Sequence, residues 1–256
     1  NTASSWDLGY VPTGWDDAII PNVGNDPVLS SDVSVANLDI TDGILDLVNY
    51  DLAVTGTQEI SSGGRLRLHD AAGQTVTAGT TDFTSAAGTV EYYNAITTTG
   101  LEAGNSYYNL EITGGTRTLS ANLTVDNNWT VSAGATLDLV NYDVGGTAPI
   151  LTVNAGALLR LHGGQTVGGT KTLNGSVEYY GTGSYSGLAV GYAYQDLSFT
   201  NSGTWELAAA LDVGGDLIIS GGGTLDASAG NDYQITVGDN WDGSLGNFTP
   251  QNGTVV

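Results

Sequence analysis

Leu45-Asp46-Leu47-Val48-Asn49-Tyr50-Asp51 is spelled again, residue for residue, as Leu137-Asp138-Leu139-Val140-Asn141-Tyr142-Asp143, 92 positions further along the chain. Other words return around it in the same order. Arg67-Leu68-His69 reappears as Arg160-Leu161-His162, Gln74-Thr75-Val76 as Gln165-Thr166-Val167, and Val90-Glu91-Tyr92-Tyr93 as Val177-Glu178-Tyr179-Tyr180. A third, degenerate copy follows: Thr224-Leu225-Asp226 matches Thr136-Leu137-Asp138, and Tyr233-Gln234-Ile235-Thr236-Val237 stands where Tyr50-Asp51-Leu52-Ala53-Val54 stood. Self-similarity at a long, fixed order of elements marks a stacked-repeat architecture.

Inside each long unit a shorter pattern recurs, a polar or small residue followed by Leu-x-aliphatic or Leu-x-aromatic. Asn37-Leu38-Asp39-Ile40, Asn109-Leu110-Glu111-Ile112, Asn122-Leu123-Thr124-Val125, Asp196-Leu197-Ser198-Phe199 and Ala210-Leu211-Asp212-Val213 all show it. Alternation over three to six residues, bounded by Gly, Asn, Asp or Ser, predicts short half-buried strands and no amphipathic helix. The repeat shifts are unequal, and only turns absorb an insertion without turning a strand's side chains to the wrong face. This predicts an all-β fold, a right-handed parallel β-helix solenoid of about three long repeats of roughly 90 residues, with coils of roughly twenty to thirty residues. Leu45, Leu47, Leu123, Val125, Leu137, Leu139, Leu211 and Val213 are its expected core column. A row of antiparallel sandwich domains is the competing architecture, and the scarcity of two-residue hairpin signals argues against it. The expected organisation is a junction segment at 1–32 and a solenoid at 33–256 that ends inside a repeat, where Gly253-Thr254-Val255-Val256 reads like the start of the GTVEY and GSVEY elements at 88–92 and 175–179. The expected shape is an elongated rod.

Composition narrows the chemistry. The 256 residues carry 27 acidic side chains, 21 of them Asp, against 5 basic ones, for a formal net charge of -22. Such a surface repels nucleic acid and anionic membranes, because phosphate binding needs clustered Lys and Arg. Cys is absent, which excludes disulfides and thiolate chemistry. No apolar run approaches the roughly 18 residues of a membrane span, so no membrane insertion is expected. The lack of Met and the start at Asn1 suggest a processed or excised segment.

Trp15-Asp16-Asp17-Ala18-Ile19-Ile20-Pro21, then Asn37-Leu38-Asp39-Ile40 and Gly43-Ile44-Leu45-Asp46-Leu47, and again the stretch from Trp241 through Gly253-Thr254-Val255, share one rhythm of strand and turn. In this the chain resembles the β-helical repeat regions of secreted bacterial surface proteins, the filamentous-haemagglutinin-like and autotransporter-passenger-like adhesins. The resemblance implies a right-handed parallel β-helix, an extracellular place on the bacterial cell surface, and a structural or adhesive role without enzymatic activity. Two alternatives stay open: a carbohydrate-active enzyme of polysaccharide-lyase type, and a calcium-dependent surface-layer or binding module.

The inventory of reactive groups is thin. His69 and His162, with Arg67 and Arg160, belong to the same duplicated element. A group copied with its repeat reads as repeat surface rather than as a catalytic centre, so no catalytic residue is expected. Arg67 and Arg160 alternate with leucines and should point outward, paired with the abundant surface Asp; Arg117 and Lys171 stand alone. Calcium is the one cofactor considered, on Asp16, Asp17, Asp26, Asp232, Asp239 and Asp242, because Asp-rich turns offer hard oxygen ligands. Gly24-Asn25-Asp26 and Gly230-Asn231-Asp232 each resemble half of a calcium-binding nonapeptide, and the alternative is that Asn and Asp simply make turns. Tyr92-Tyr93, Tyr107-Tyr108 and Tyr179-Tyr180 should each put one ring outward, where it could meet a surface carbohydrate. Asn49 and Asn141 occupy matching turns. Trp6, Tyr10 and Trp15 at one end, and Val255 and Val256 at the other, are the expected interface for end-to-end self-association into a filament, since an uncapped solenoid end exposes strand edges.

Overall fold

The alternating segments bury every second side chain and leave turn residues at each corner, so the chain winds rather than doubles back. The structure, a computed structural model, describes residues 10–22, 24–61, 63–69, 73–84 and 87–256. Those residues form thirty strands and no helix. Every strand ladder is parallel, and among the described residues an isolated Ser61–Ala87 bridge is antiparallel. This is a parallel β-solenoid of about eleven coils. In-register partners sit one coil apart, as Leu158 with Ser176 at the short extreme and Arg65 with Thr89 at the long one.

The long repeat is not a whole number of coils. Ile44–Asp46, Arg65–Leu68 and Thr89–Tyr92 stack consecutively in a seven-stranded sheet that continues through Asn109–Ile112 and Asn128–Val131. Their copies, Thr136–Asp138, Leu158–Leu161 and Ser176–Tyr179, stack in the same order in the neighbouring eight-stranded sheet. The third copy begins at Thr224–Asp226, paired with Asn247–Thr249 in a further, four-stranded sheet. From Ile44 the chain makes four coils to Asn128–Val131 and then advances one face to Thr136–Asp138. Each repeat therefore spans four coils and a third and delivers its copy one face further round the coil.

The expected core column is in place: Leu45, Leu47, Leu123, Val125, Leu137, Leu139, Leu211 and Val213 are all buried. At the corners, side-chain carboxylates and carboxamides accept backbone N–H groups from the next coil. Asp32 accepts from Asp51 at 3.0 Å and Asp51 in turn from Thr75 at 2.7 Å. The copied corner repeats this with Asn122 accepting from Asp143 at 3.0 Å and Asp143 from Thr166 at 2.6 Å. The abundance of Asp is thus partly a consequence of how corners are closed.

One expectation changes. Val255 bridges Ile235 as Val167 bridges Val144, so Gly253-Thr254-Val255 occupies the Gln165-Thr166-Val167 position and not that of the GTVEY element. The shared Thr-Val letters misled, because short Thr-Val words occur on several faces. Eleven coils at about 4.8 Å make a stack about 53 Å long, against a coil side of about 22 Å for twenty residues at 3.3 Å each. Asp17–Ile20, inside the 1–32 segment, pairs in register with Asn37–Ile40 as part of the stack.

Candidate functional site

The words that survive between repeats are scattered along the sequence but meet in space. In the first copy, Asp46, Arg67 and Glu91 are in-register neighbours on three successive coils, all on the outer side of the seven-stranded sheet. Arg67 donates from Nη1 to Asp46 at 3.0 Å and from Nε to Glu91 at 3.0 Å. Its guanidinium lies 4.3 Å from the centre of the Tyr93 ring, and the Tyr93 hydroxyl donates to Asp46 at 2.9 Å. Arg65 adds a second guanidinium, 3.1 Å from Glu91 and also paired with Glu111.

The strand leading into the cluster ends in a tight corner. Asp46 accepts the N–H of Val48 at 2.9 Å, which holds Val48 at φ 51, a left-handed conformation that a β-branched residue rarely adopts. The Val48 carbonyl accepts the His69 N–H at 3.2 Å and the Gln74 carboxamide at 3.2 Å. His69 bonds Asn49 through Nδ1 and tilts against Tyr93 with ring centres 5.2 Å apart.

The second copy is built from the same parts on the adjacent face. Arg160 bridges Asp138 at 3.2 Å and Glu178 and lies 4.5 Å from the Tyr180 ring. Tyr180 donates to Asp138 at 2.8 Å. Asp138 accepts from Val140 at 2.9 Å, with Val140 at φ 54. Its carbonyl takes the His162 N–H at 2.8 Å and the Gln165 carboxamide at 2.8 Å. His162 meets Tyr180 edge-on at 4.6 Å. The third copy keeps the corner, with Ser228 at φ 68 donating to Asp226 at 2.9 Å, but Thr249 stands in register where the arginines stood. All four exact words are thereby accounted for as one object spanning three coils.

Electrostatics follow from the packing. Burial and the hydrogen bond to Asp46 push the Tyr93 hydroxyl up to about 12, and burial with the hydrogen bond to Asp138 raises the Tyr180 hydroxyl. The hydrogen bond that Arg160 donates to Glu178 raises Arg160, and the one that Arg65 donates to Glu111 raises Arg65. Each triad of one guanidinium and two carboxylates carries a formal charge of -1. The clusters are ordered sets of hydrogen-bond donors and acceptors beside an aromatic ring.

Several polar side chains lie in or against the core. Arg117 is fully buried, its Nη1 donating to the Ile96 carbonyl at 3.0 Å, and Trp205, equally buried, fills the matching core position one repeat later. Gln58 is also fully buried, with neither carboxamide atom hydrogen-bonded, where the next repeat has Leu151. Lys171 lies in register with core residue Leu151, and burial lowers its ammonium. Tyr92 and Tyr107, and their copies Tyr179 and Tyr194, form buried hydroxyl pairs at 3.1 and 3.0 Å.

Five of the six calcium candidates use their carboxylates as acceptors for the chain itself. Asp26 accepts the Ile44 N–H at 3.1 Å and Asp232 that of Asn252 at 3.0 Å. Asp17 accepts from Asn37 at 2.6 Å, Asp16 from the Thr13 N–H at 2.9 Å, and Asp242 from the Ser244 N–H at 2.9 Å. Asp239 donates its N–H to the Gly215 carbonyl at 3.1 Å. Among the described residues no three His, Asp or Glu side chains converge as a metal-binding group. Of the assembly candidates, Trp6 lies outside the described residues. Trp15 is 94% exposed, and Tyr10, Val255 and Val256 are exposed too; the Tyr10 hydroxyl bonds Asp16 at 3.1 Å.

Compared with known proteins, the chain matches no family model, no curated protein and no solved structure.

Proposed function

We propose that this chain is a structural or adhesive element of a bacterial surface, an extracellular solenoid of the filamentous-haemagglutinin-like and autotransporter-passenger-like kind. The observation that carries the reading is the way ladders on every side tie each coil to the next, reinforced at the corners by Asp and Asn side chains that reach across coils. Load along the axis then falls on many backbone hydrogen bonds in parallel, and the faces between corners remain available for display. The strong negative charge suits a surface that has to stay soluble and unaggregated outside the cell. End-to-end association of coils, with Trp15 and Val256 as exposed apolar contacts, belongs to the same reading.

The test is accessibility on the producing cell. Antibodies raised against the purified chain should label intact cells, and the label should be lost after mild surface proteolysis. Labelling that appears only after lysis overturns the proposal.

A further inference from the structure

We propose that the two corner clusters, Asn49-His69-Arg67-Tyr93 and Asn141-His162-Arg160-Tyr180, are a pair of equivalent binding sites for a neutral glycan. The proposal rests on the adhesive reading and names what is bound. Its starting point is the set of solvent-facing side chains that both repeats keep. Folding depends on the core, and many core positions keep their residue between repeats, Leu45 with Leu137, Leu68 with Leu161 and Tyr92 with Tyr179 among them, whereas Arg117 stands against Trp205, Trp129 against Leu217 and Gln58 against Leu151, all buried. In the outer cluster Arg65 gives way to Leu158, but six side chains are kept. Asp, Arg, Glu, Tyr, His and Asn are identical in both copies.

Intramolecular bonding accounts for part of that identity. The carboxylates, the arginines, the tyrosine hydroxyls and the buried glutamines hold one another, as described above. Asn49 and His69 bond each other in the first copy, and neither side chain bonds the ion-paired residues. In the second copy, among the described residues, neither the Asn141 carboxamide nor the His162 ring nitrogens have a hydrogen-bond partner, and His162 rests against Tyr180. Asn49 and Asn141 are exposed, and both histidines are half-exposed. Arg67 and Arg160 each spend Nε and Nη1 on carboxylates, and Nη2 has no acceptor among the described residues.

The ligand class follows from these groups. The net charge of -22, with a local triad charge of -1, disfavours an anionic polymer. A protein partner calls for an apolar centre, and the exposed large hydrophobics, Trp15, Ile19, Ile150, Ile218 and Leu245 among them, all lie outside the clusters. What remains is a planar amide, an imidazole and a free guanidinium N–H beside an aromatic ring. Together they pair with vicinal hydroxyls and with the C–H face of a sugar. The ion pairs hold these groups in place beforehand, which lowers the ordering cost of binding.

Because a repeat spans four coils and a third, the two sites lie on adjacent faces about 21 Å apart along the axis. They take two chains or two branches, so binding to a dense glycan surface gains avidity.

The test is affinity electrophoresis of the purified chain in gels containing dextran, mannan, galactan or xylan, with alginate as the anionic control. At least one neutral polymer should retard the chain and alginate should not. The quadruple variant N49A/H69A/N141A/H162A leaves the ion pairs untouched and should lose at least tenfold of the retarding affinity, while N49A/H69A or N141A/H162A alone should lose less. Retardation by none of the neutral polymers, or retardation unchanged in the quadruple variant, overturns the proposal. A readout independent of variants is available, since the chain has only 2 histidines: oligosaccharides of a retarding polymer should shift both imidazole C–H proton resonances, and unmoved resonances also overturn it. Surface labelling of cells is unaffected by either outcome, so the parent reading is judged separately.

Discussion

Gln58 faces the core with both carboxamide atoms unpaired, a position the next repeat fills with Leu151. An unsatisfied buried amide costs about 1–3 kcal/mol, so Gln58→Leu should raise the melting temperature followed by circular dichroism. A lower melting temperature would show that the amide is satisfied by an internal water. Tyr93 supplies the opposite case, a polar group whose partner is built in. Its hydroxyl is raised from 10.0 to about 12 by burial and by Asp46. A raised acid favours the folded state while it keeps its proton. Its contribution is fully present below pH 10, shrinks as pH rises above 10, and is gone once pH passes through the folded value near 12. Alkaline denaturation followed by circular dichroism should therefore be steeper between these limits in the wild chain than in Tyr93→Phe; identical slopes would remove Tyr93 from the account. Alternation made the inward and outward positions legible in the sequence, which is why the Tyr-Tyr pairs and the Leu-x-Leu columns read correctly. Arg117 and Gln58 were opaque for the same reason. Nothing local separates a polar residue on the inner side of a three-residue strand from one misplaced by a register shift.

At the level of elements, the clusters differ in redundancy. Glu91 is held by both Arg65 and Arg67, whereas Glu178 and Asp138 share Arg160. Removing a cation that faces partly buried carboxylates leaves charge uncompensated, at a cost of about 2–3 kcal/mol here, given partial exposure. Arg160→Gln should thus destabilise by about that much and Arg67→Gln by clearly less, as urea denaturation would measure; equal losses would mean that Arg65 does not stand in. The four repeated words were plain in the sequence, and the expected outward, ion-paired arginines are there. That the words form one object was not legible. The meeting of Asp46, Arg67 and Glu91 depends on coil lengths of 21 and 24 residues, and strand spacing alone bounds a coil only to within several residues.

For the whole molecule, the step of one face per repeat has consequences that neither the period nor the coil length suggests separately. A duplicated solenoid made of whole coils would present its copies in a line on one side. Here identical chemistry points in two directions, and a degenerate third set begins on a third face. Handing each ladder on to its neighbouring face also explains why core positions are free to change between copies, since each copy packs against different surroundings. The absence of Cys makes this arrangement directly measurable by spin labelling. Ile44 and Thr136 are equivalent, outward-facing positions at the start of the first two copies. With nitroxide labels on Ile44→Cys and Thr136→Cys, dipolar electron resonance should return a distance near 30 Å, combining an axial step of about 21 Å with a lateral step of about 23 Å between labels on adjacent faces. A distance near 20 Å, the axial step alone, would place both copies on one face and contradict the account.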